Sequence, residues 1–376
     1  MRPLALFGAR VFDGSAIRDN VAVLVAGGMV IDVVGNDAIP ADAQKRDLGG
    51  GLLAPGFIDL QVNGGAGVML NDGPDVARME TIATAHRCHG TTGLLPTLIT
   101  DTDEVTEAAI LAAAEAVGSV PGVLGLHLEG PHLAPQRKGA HLAALMRPMT
   151  DREADLLIAA RAEVKVLLVT VAAEQVPTRL IRRLSDAGII VSLGHTDAGY
   201  DQARAAFDAG ARTATHLFNA MSQLGSRDPG VVGAVLATPG VSAGIIADGH
   251  HVHPDTLRIA LAAKRGAGRL YLVTDAMASV GMKGDSFQLN GRTVYRRGGR
   301  LTLETGTLAG ADVDMATCVR YAANTLGLGL EEALRMASLY PAQLIDDERR
   351  GRIAHGMKAE FVHLDGTSQI LDVISF

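Results

Sequence analysis

Four side chains in this sequence could together activate water: Glu129, His195, His216 and Asp275. Glu129 stands in HLEGPH, His195 in SLGHT, His216 in THLFNAM and Asp275 in LVTDAMA, each at or just past the end of a short apolar run. One carboxylate and two imidazoles form a ligand set of catalytic zinc, which keeps one position open for water. A single His at a strand end is more often a hydrogen-bonded core or surface residue. Three donors on three separate strands are better explained by a metal. Asp275 has two readings. It can shuttle a proton between water and a leaving group, or cap the next helix. Beside a metal set the first is preferred.

Other polar residues fall near these. Gln61 and Asn63 follow the first strand, where many metal-dependent barrels carry a His-x-His pair for a second metal. Neutral amides are poor zinc ligands beside His and carboxylate. One metal is therefore expected, with Gln61 and Asn63 as remnants of a second site or as partners of the Gly64–Gly65 turn. His141 lies in RKGAH after the third strand, and His250, His251 and His253 cluster after the seventh. Arg227, in GSRDPG, suits bidentate phosphate recognition, although a loop Arg is commonly a solvated surface charge. His86 and His89, beside Cys88, read as structural.

These groups can meet only if their strands share one mouth. Eight buried strands are predicted at 57–62, 93–98, 123–128, 164–170, 189–193, 213–217, 241–246 and 270–274. Helical patterns separate most of them, as in DEVTEAAILAAAEAVGS and in VPTRLIRRLSDAG with its terminal Gly. Eight β-then-α units predict a parallel (β/α)8 barrel, whose sites lie at the C-terminal strand ends. A doubly wound open sheet competes, but few such sheets use eight units. FQLNGRTVYRRGGRLTLETG breaks the rhythm and predicts an inserted hairpin near 286–304. Two helices are expected around 313–326 and 330–338, and both chain ends read as β.

Composition sets the outer limits. The chain has 376 residues, 48% of them hydrophobic, which suffices for a large core. A net charge of −7 argues against nucleic acid as a partner. Two cysteines, Cys88 and Cys318, build neither a disulfide framework nor a Cys-based zinc site. With no signal-peptide pattern and no long apolar run, the expectation is a cytoplasmic protein without membrane spans.

The motifs PGFIDLQVNGG, HLEGPHL with KGAH, SLGHTDA, THLFNAM, ADGHHV, LVTDAMA and GTLAGA occur in that order. Together they resemble the N-acetylglucosamine-6-phosphate deacetylases of the amidohydrolase superfamily, over nearly the whole chain. The resemblance implies a barrel over 54–345 and a small β-sandwich built from 1–53 and 346–376. It implies a homodimer, and one divalent metal on Glu129, His195 and His216, most simply Zn2+, with Fe2+, Co2+ or Mn2+ as alternatives. It places the general acid/base on Asp275, with His141 assisting. Substrate contacts are implied for Ala140, His141, Asn219, Ala220, Arg227, His251, Leu308, Ala309 and Gly310. Arg227 and His251 would meet the sugar phosphate with help from the neighbouring subunit. The Gln61-x-Asn63 pair is similar to the single-metal branch.

Three rivals stand beside deacetylation of N-acetylglucosamine 6-phosphate. The galacto epimer is open. A cyclic-amide hydrolase would need the His pair and a carboxylated Lys after strand four, whereas Lys165 lies at the start of that strand, the wrong end. A catalytically silent binding barrel would be expected to have lost some of the four central residues, and all are present.

Overall fold

The structure is a computed structural model that describes residues 2–376. Its centre is eight parallel strands: β1 (Phe57–Val62), β2 (Thr91–Ile99), β3 (Leu126–Glu129), β4 (Leu167–Val171), β5 (Ile190–Leu193), β6 (Thr213–Ala214), β7 (Ser242–Ile246) and β8 (Leu270–Val273). Each pairs in parallel with the next in sequence order. The ring closes just past the ends of β1 and β8, where Val62 bridges to Ala276. There Asp275 N–H donates to the Gln61 carbonyl at 3.0 Å, and Asn63 N–H donates to the Ala276 carbonyl at 2.8 Å. The fold is a (β/α)8 barrel.

Two strands start three residues later than predicted. β3 begins at Leu126 and β4 at Leu167, not at 123 and 164. Val123 makes only an isolated bridge to Leu94. Val164 caps the helix Asp151–Glu163, its N–H bound to the Ala160 carbonyl. Helix capping thus takes a residue that apolar character alone assigns to the strand.

Side-chain alternation explains the polarity inside. In β3, Leu126 and Leu128 share one face and His127 and Glu129 the other. The leucines join the large apolar cluster that also holds the helix residues Ala109, Leu157 and Leu180. His127 turns inward, its Nε2 2.7 Å from Thr170 Oγ1. From there a chain of hydroxyls runs through Thr215 and Ser192, each step 2.6 Å. Every buried hydroxyl in this layer has a partner, as burial without water demands.

Both chain ends build a sandwich. One sheet orders Met29–Gly35, Val21–Ala26, Leu4–Phe7 and Gln44–Asp47. The other orders Ile370–Ser375, Glu360–Leu364, Leu52–Pro55, Arg10–Phe12 and Ile17–Arg18. Leu6, Val23 and Val25 of the first pack against Leu53, Phe361 and Ile374 of the second. Phe361 is fully buried there, which contributes about 2–3 kcal/mol.

The insertion after β8 is larger than a hairpin. Four antiparallel strands form: Ser286–Leu289, Arg292–Arg297, Arg300–Leu303 and Leu308–Ala311. The fourth has little strand propensity, since LAGA lacks β-branched residues. Tertiary pairing secures it: Ala311 N–H donates to the Asp275 carbonyl at 2.9 Å, and Met277 N–H donates to the Ala311 carbonyl at 3.3 Å. Helices Met315–Arg320, Leu330–Ala337 and Leu339–Leu344 follow, with one π-helical turn at Tyr321–Thr325. Asp314, not Asp275, caps the first of them. Among the described residues, no helix is long and apolar enough to cross a membrane.

Candidate active site

The polar strand ends converge at the C-terminal mouth of the barrel. Glu129 Oε1 lies 3.1 Å from His216 Nε2 and 3.3 Å from His195 Nε2, and the two nitrogens are 3.1 Å apart. Four zinc ligands at about 2.0 Å in a tetrahedron would be spaced about 3.3 Å from one another. The observed triangle has that size. All three residues are buried.

Hydrogen bonding at the far side of the ring decides what His195 offers, whereas His216 Nδ1 is buried with no partner among the described residues. His195 Nδ1 is 2.7 Å from the Arg137 carbonyl, so Nδ1 must carry hydrogen. A neutral ring then presents the Nε2 lone pair to the triangle. Between the three ligand atoms at most one proton, on His216 Nε2, is left for two acceptors, Glu129 and His195. A divalent cation satisfies all three, so the residues fit a metal. Burial opposes charge on Glu129, but His195 and His216 outweigh it and hold the carboxyl well below the usual carboxylate range.

His141 is built the other way round. It too comes within metal-ligating distance of Glu129 and His195. Its Nδ1 accepts the Thr100 backbone N–H at 3.3 Å and lies 2.8 Å from Thr100 Oγ1. Burial, then the neighbouring His195, pushes its pKa down to about 3, so the ring is neutral. The proton therefore sits on Nε2, 3.8 Å from Glu129 Oε2. His141 offers the cavity a donor, where His195 offers a lone pair.

Asp275 completes the centre. Burial and the charge of Glu129 push its carboxyl above the ordinary value. Gln61 and Asn63 do not turn toward the glycine turn. Both amides donate to Asp275 Oδ1, at 3.0 Å and 2.7 Å. Backbone at this mouth is strained: His195, His216 and Asp275 have φ of 46°, 30° and 52°. Such left-handed non-Gly residues cost about 1–3 kcal/mol each and cluster at functional sites.

A cavity of about 250 Å³ opens onto this group. Its walls include Asn63, Ala140, His141, Asn219, Ala220, His251, Asp275, Leu308 and Gly310. Gln61 lies behind Asp275, and Ala309 is fully buried outside the wall. Gly139, with φ of 53°, makes the turn that brings Ala140 and His141 to the cavity, and a Cβ there would sit 3.2 Å from His195. Of the histidines after β7, only His251 faces the cavity. His253 caps the helix Pro254–Ala263 instead, and His250 Nδ1 accepts from Arg300 Nε at 3.2 Å. Arg227 is exposed, outside the cavity, with no ion pair among the described residues. His86 is structural, its Nε2 2.9 Å from the Gly64 carbonyl. A larger hollow of about 860 Å³ lies beside the terminal strands, where Asp13 pairs with Arg18 and Arg335 with Glu332.

Three supporting residues escape a reading by strand ends. Asp248 accepts from His251 Nδ1 at 2.6 Å and orients that ring; the motif ADGHHV contains it, without showing that it folds back. Thr100 sets the His141 tautomer from 41 residues away in sequence. Asp59 is buried at the seam, where Thr274 Oγ1 donates to it at 2.5 Å.

The sequence profile of the amidohydrolase family matches residues 52–376. The chain belongs to the amidohydrolase family. Residues 4–53 of this amidohydrolase match a second profile, the NagA composite domain. It is 42% identical to the N-acetylgalactosamine-6-phosphate deacetylase of Shewanella sp. (strain ANA-3), over 97% of this chain and 93% of the other. It is 36% identical to the N-acetylglucosamine-6-phosphate deacetylase of Haemophilus influenzae, over 98% and 97%. Among solved structures, N-acetylglucosamine-6-phosphate deacetylase from Pasteurella multocida superposes with a TM-score of 0.95 at 36% identity, covering 99% of this chain and 98% of that one. A mutant of the Mycobacterium smegmatis enzyme in complex with N-acetyl-D-glucosamine-6-phosphate gives 0.90 at 33%, covering 99% and 97%.

Proposed function

We propose that this amidohydrolase cleaves the acetamide of N-acetyl-D-glucosamine 6-phosphate, giving acetate and D-glucosamine 6-phosphate. One observation carries the reading: Glu129, His195 and His216 meet within 3.3 Å beside Asp275. That this occurs in a chain matching deacetylases of acetylated amino-sugar phosphates over nearly its full length supports the substrate.

In this reading Glu129, His195 and His216 hold one divalent ion per subunit. The ligand set favours Zn2+, with Fe2+, Co2+ and Mn2+ as alternatives. When bound, the ion supplies Lewis acidity, lowering the pKa of water and polarising a carbonyl. Asp275 takes a proton from the attacking water. His141 Nε2–H donates to the carbonyl oxygen as negative charge develops there. Asp275 then passes the proton to the nitrogen as the C–N bond breaks, so one water is consumed and no other reactant is needed. Ala140, Asn219, Ala220, Leu308 and Gly310 surround the sugar, with Ala309 packed behind them. His251, held by Asp248, and Arg227 receive the phosphate. Because Arg227 stands outside the cavity, it meets only a phosphate projecting from the mouth.

The same reading assigns 1–53 and 346–376 to the sandwich and 54–345 to the barrel, and makes the chain a homodimer whose subunits share the phosphate contacts. It places the protein in the cytoplasm, where its free Cys88 and Cys318 would stay reduced. The galacto epimer is the second reading, favoured by the 42% identity to the Shewanella deacetylase of that sugar.

The test is acetate release from both epimers, before and after chelation, with metal measured on the same sample. Chelator-sensitive release from the gluco sugar, with about one metal per chain, supports the proposal. Release only from the galacto sugar moves it to the second reading. No release from either, with metal bound, overturns it.

A further inference from the structure

Gln61 and Asn63 occupy an unusual position for neutral amides. They are 2% and 1% exposed, at the centre of a site built from charges. Gln61 Nε2 donates to Asp275 Oδ1 at 3.0 Å and to Glu129 Oε1 at 3.3 Å. Asn63 Nδ2 donates to the same Asp275 Oδ1 at 2.7 Å. Ionised carboxylates accept only, so the amides must turn their N–H groups, not their oxygens, toward them. The two residues also grip the backbone of this stretch, through the Asp275 N–H to Gln61 and the Asn63 N–H to the Ala276 carbonyl. Asp275 Oδ2 has no hydrogen bond to any described residue.

We propose that Gln61 and Asn63 are positioning residues that saturate Asp275 Oδ1 and leave Oδ2 as the oxygen that moves the proton. The carboxylate can rotate about two bonds, Cα–Cβ and Cβ–Cγ, and two donors on one oxygen restrict both. The plane of the group is then set so that Oδ2 faces the cavity. The donors also stabilise buried negative charge with fixed N–H dipoles, a role that would otherwise need a cation at this point. The amides act through Asp275 and need not touch the substrate.

The kinetic part of the test rests on the deacetylase reading. Asn63→Leu and Gln61→Met keep shape and remove the donor. Each is expected to lower kcat roughly 10- to 100-fold, as for a hydrogen bond to a charged group, with KM within about twofold; metal content should be unchanged in Asn63→Leu, whose amide bonds Asp275 and not Glu129. The deciding readout is a double-mutant cycle. In an Asp275→Asn background, adding Asn63→Leu should lower kcat less than about twofold further. An equal loss in both backgrounds, or a rise in KM at constant kcat, overturns the proposal. If the unmodified chain deacetylates neither epimer, the function reading fails by itself. The cycle is then read from urea unfolding midpoints of the same four proteins, where coupling between Asn63 and Asp275 supports the link and additivity overturns it.

Discussion

His141 and His195 meet edge to face, ring centroids 4.4 Å apart, yet offer the cavity opposite hydrogen-bonding faces. Their far-side partners cause this. A carbonyl behind His195 fixes hydrogen on Nδ1, and a backbone N–H behind His141 fixes a lone pair there. Two neighbouring imidazoles are thereby divided into a ligand and a donor.

This division predicts a separation of effects. His195→Ala should lose most bound metal, since each ligand or its support is worth about 10- to 100-fold in affinity. His141→Ala should keep its metal while kcat falls about 100- to 1,000-fold, as for removal of one oxyanion donor. Metal analysis of both purified variants beside their kcat values decides; equal metal loss in the two would show that His141 is a ligand.

Asp275→Asn keeps the shape but cannot take a proton. Loss of a general base costs about 100- to 10,000-fold, so kcat should fall in that range with metal retained. A variant with near-normal turnover would move the base elsewhere.

Phosphate should act through orientation as well as affinity. N-Acetylglucosamine without its phosphate, assayed against the phosphorylated sugar, should show a lower kcat and not only a raised KM. Arg227→Ala should weaken use of the phosphorylated sugar and leave the unphosphorylated one unchanged. Equal effects on both sugars would remove Arg227 from the phosphate site.

Asp59 ties stability to pH. Burial pushes its carboxyl up to about 7, above the 3.8 of an exposed group, against the lowering effect of Thr274. With the folded value raised, the stability linked to its proton is full below about pH 4 and is lost as pH climbs through 7. A rise of about 3 in pKa corresponds to on the order of 4 kcal/mol. Asp59→Asn carries no such proton and its amide fits the same partners. Urea unfolding at pH 5 and pH 8 should therefore show the variant gaining on the unmodified chain at the higher pH. Parallel stability at both would mean that Asp59 stays ionised throughout.

Much of this site is legible along the chain because a parallel barrel turns sequence position into spatial position. A polar residue just past a strand end reaches the shared mouth whichever strand carries it, and that suffices to nominate Glu129, His195, His216 and Asp275. The same rule separates His251 from its neighbours poorly. All three histidines follow β7, and only the fold-back of Asp248 and the capping by His253 sort them. Arg227 shows the limit from the other side, since its loop position is clear but its place outside the cavity is not.

The amino-acid sequence by itself determined the barrel, the β character of both ends and the types of residue at the mouth, because these follow from local periodicity and strand order. Tertiary structure alone decided which atom of each residue faces the reaction. Thr100 and His141, Arg137 and His195, and Gln61 and Asp275 are partners separated by 41, 58 and 214 residues. A proton's place on an imidazole, or a carboxylate's free oxygen, depends on such a partner's position within a few tenths of an ångström, and only the closed barrel sets that distance.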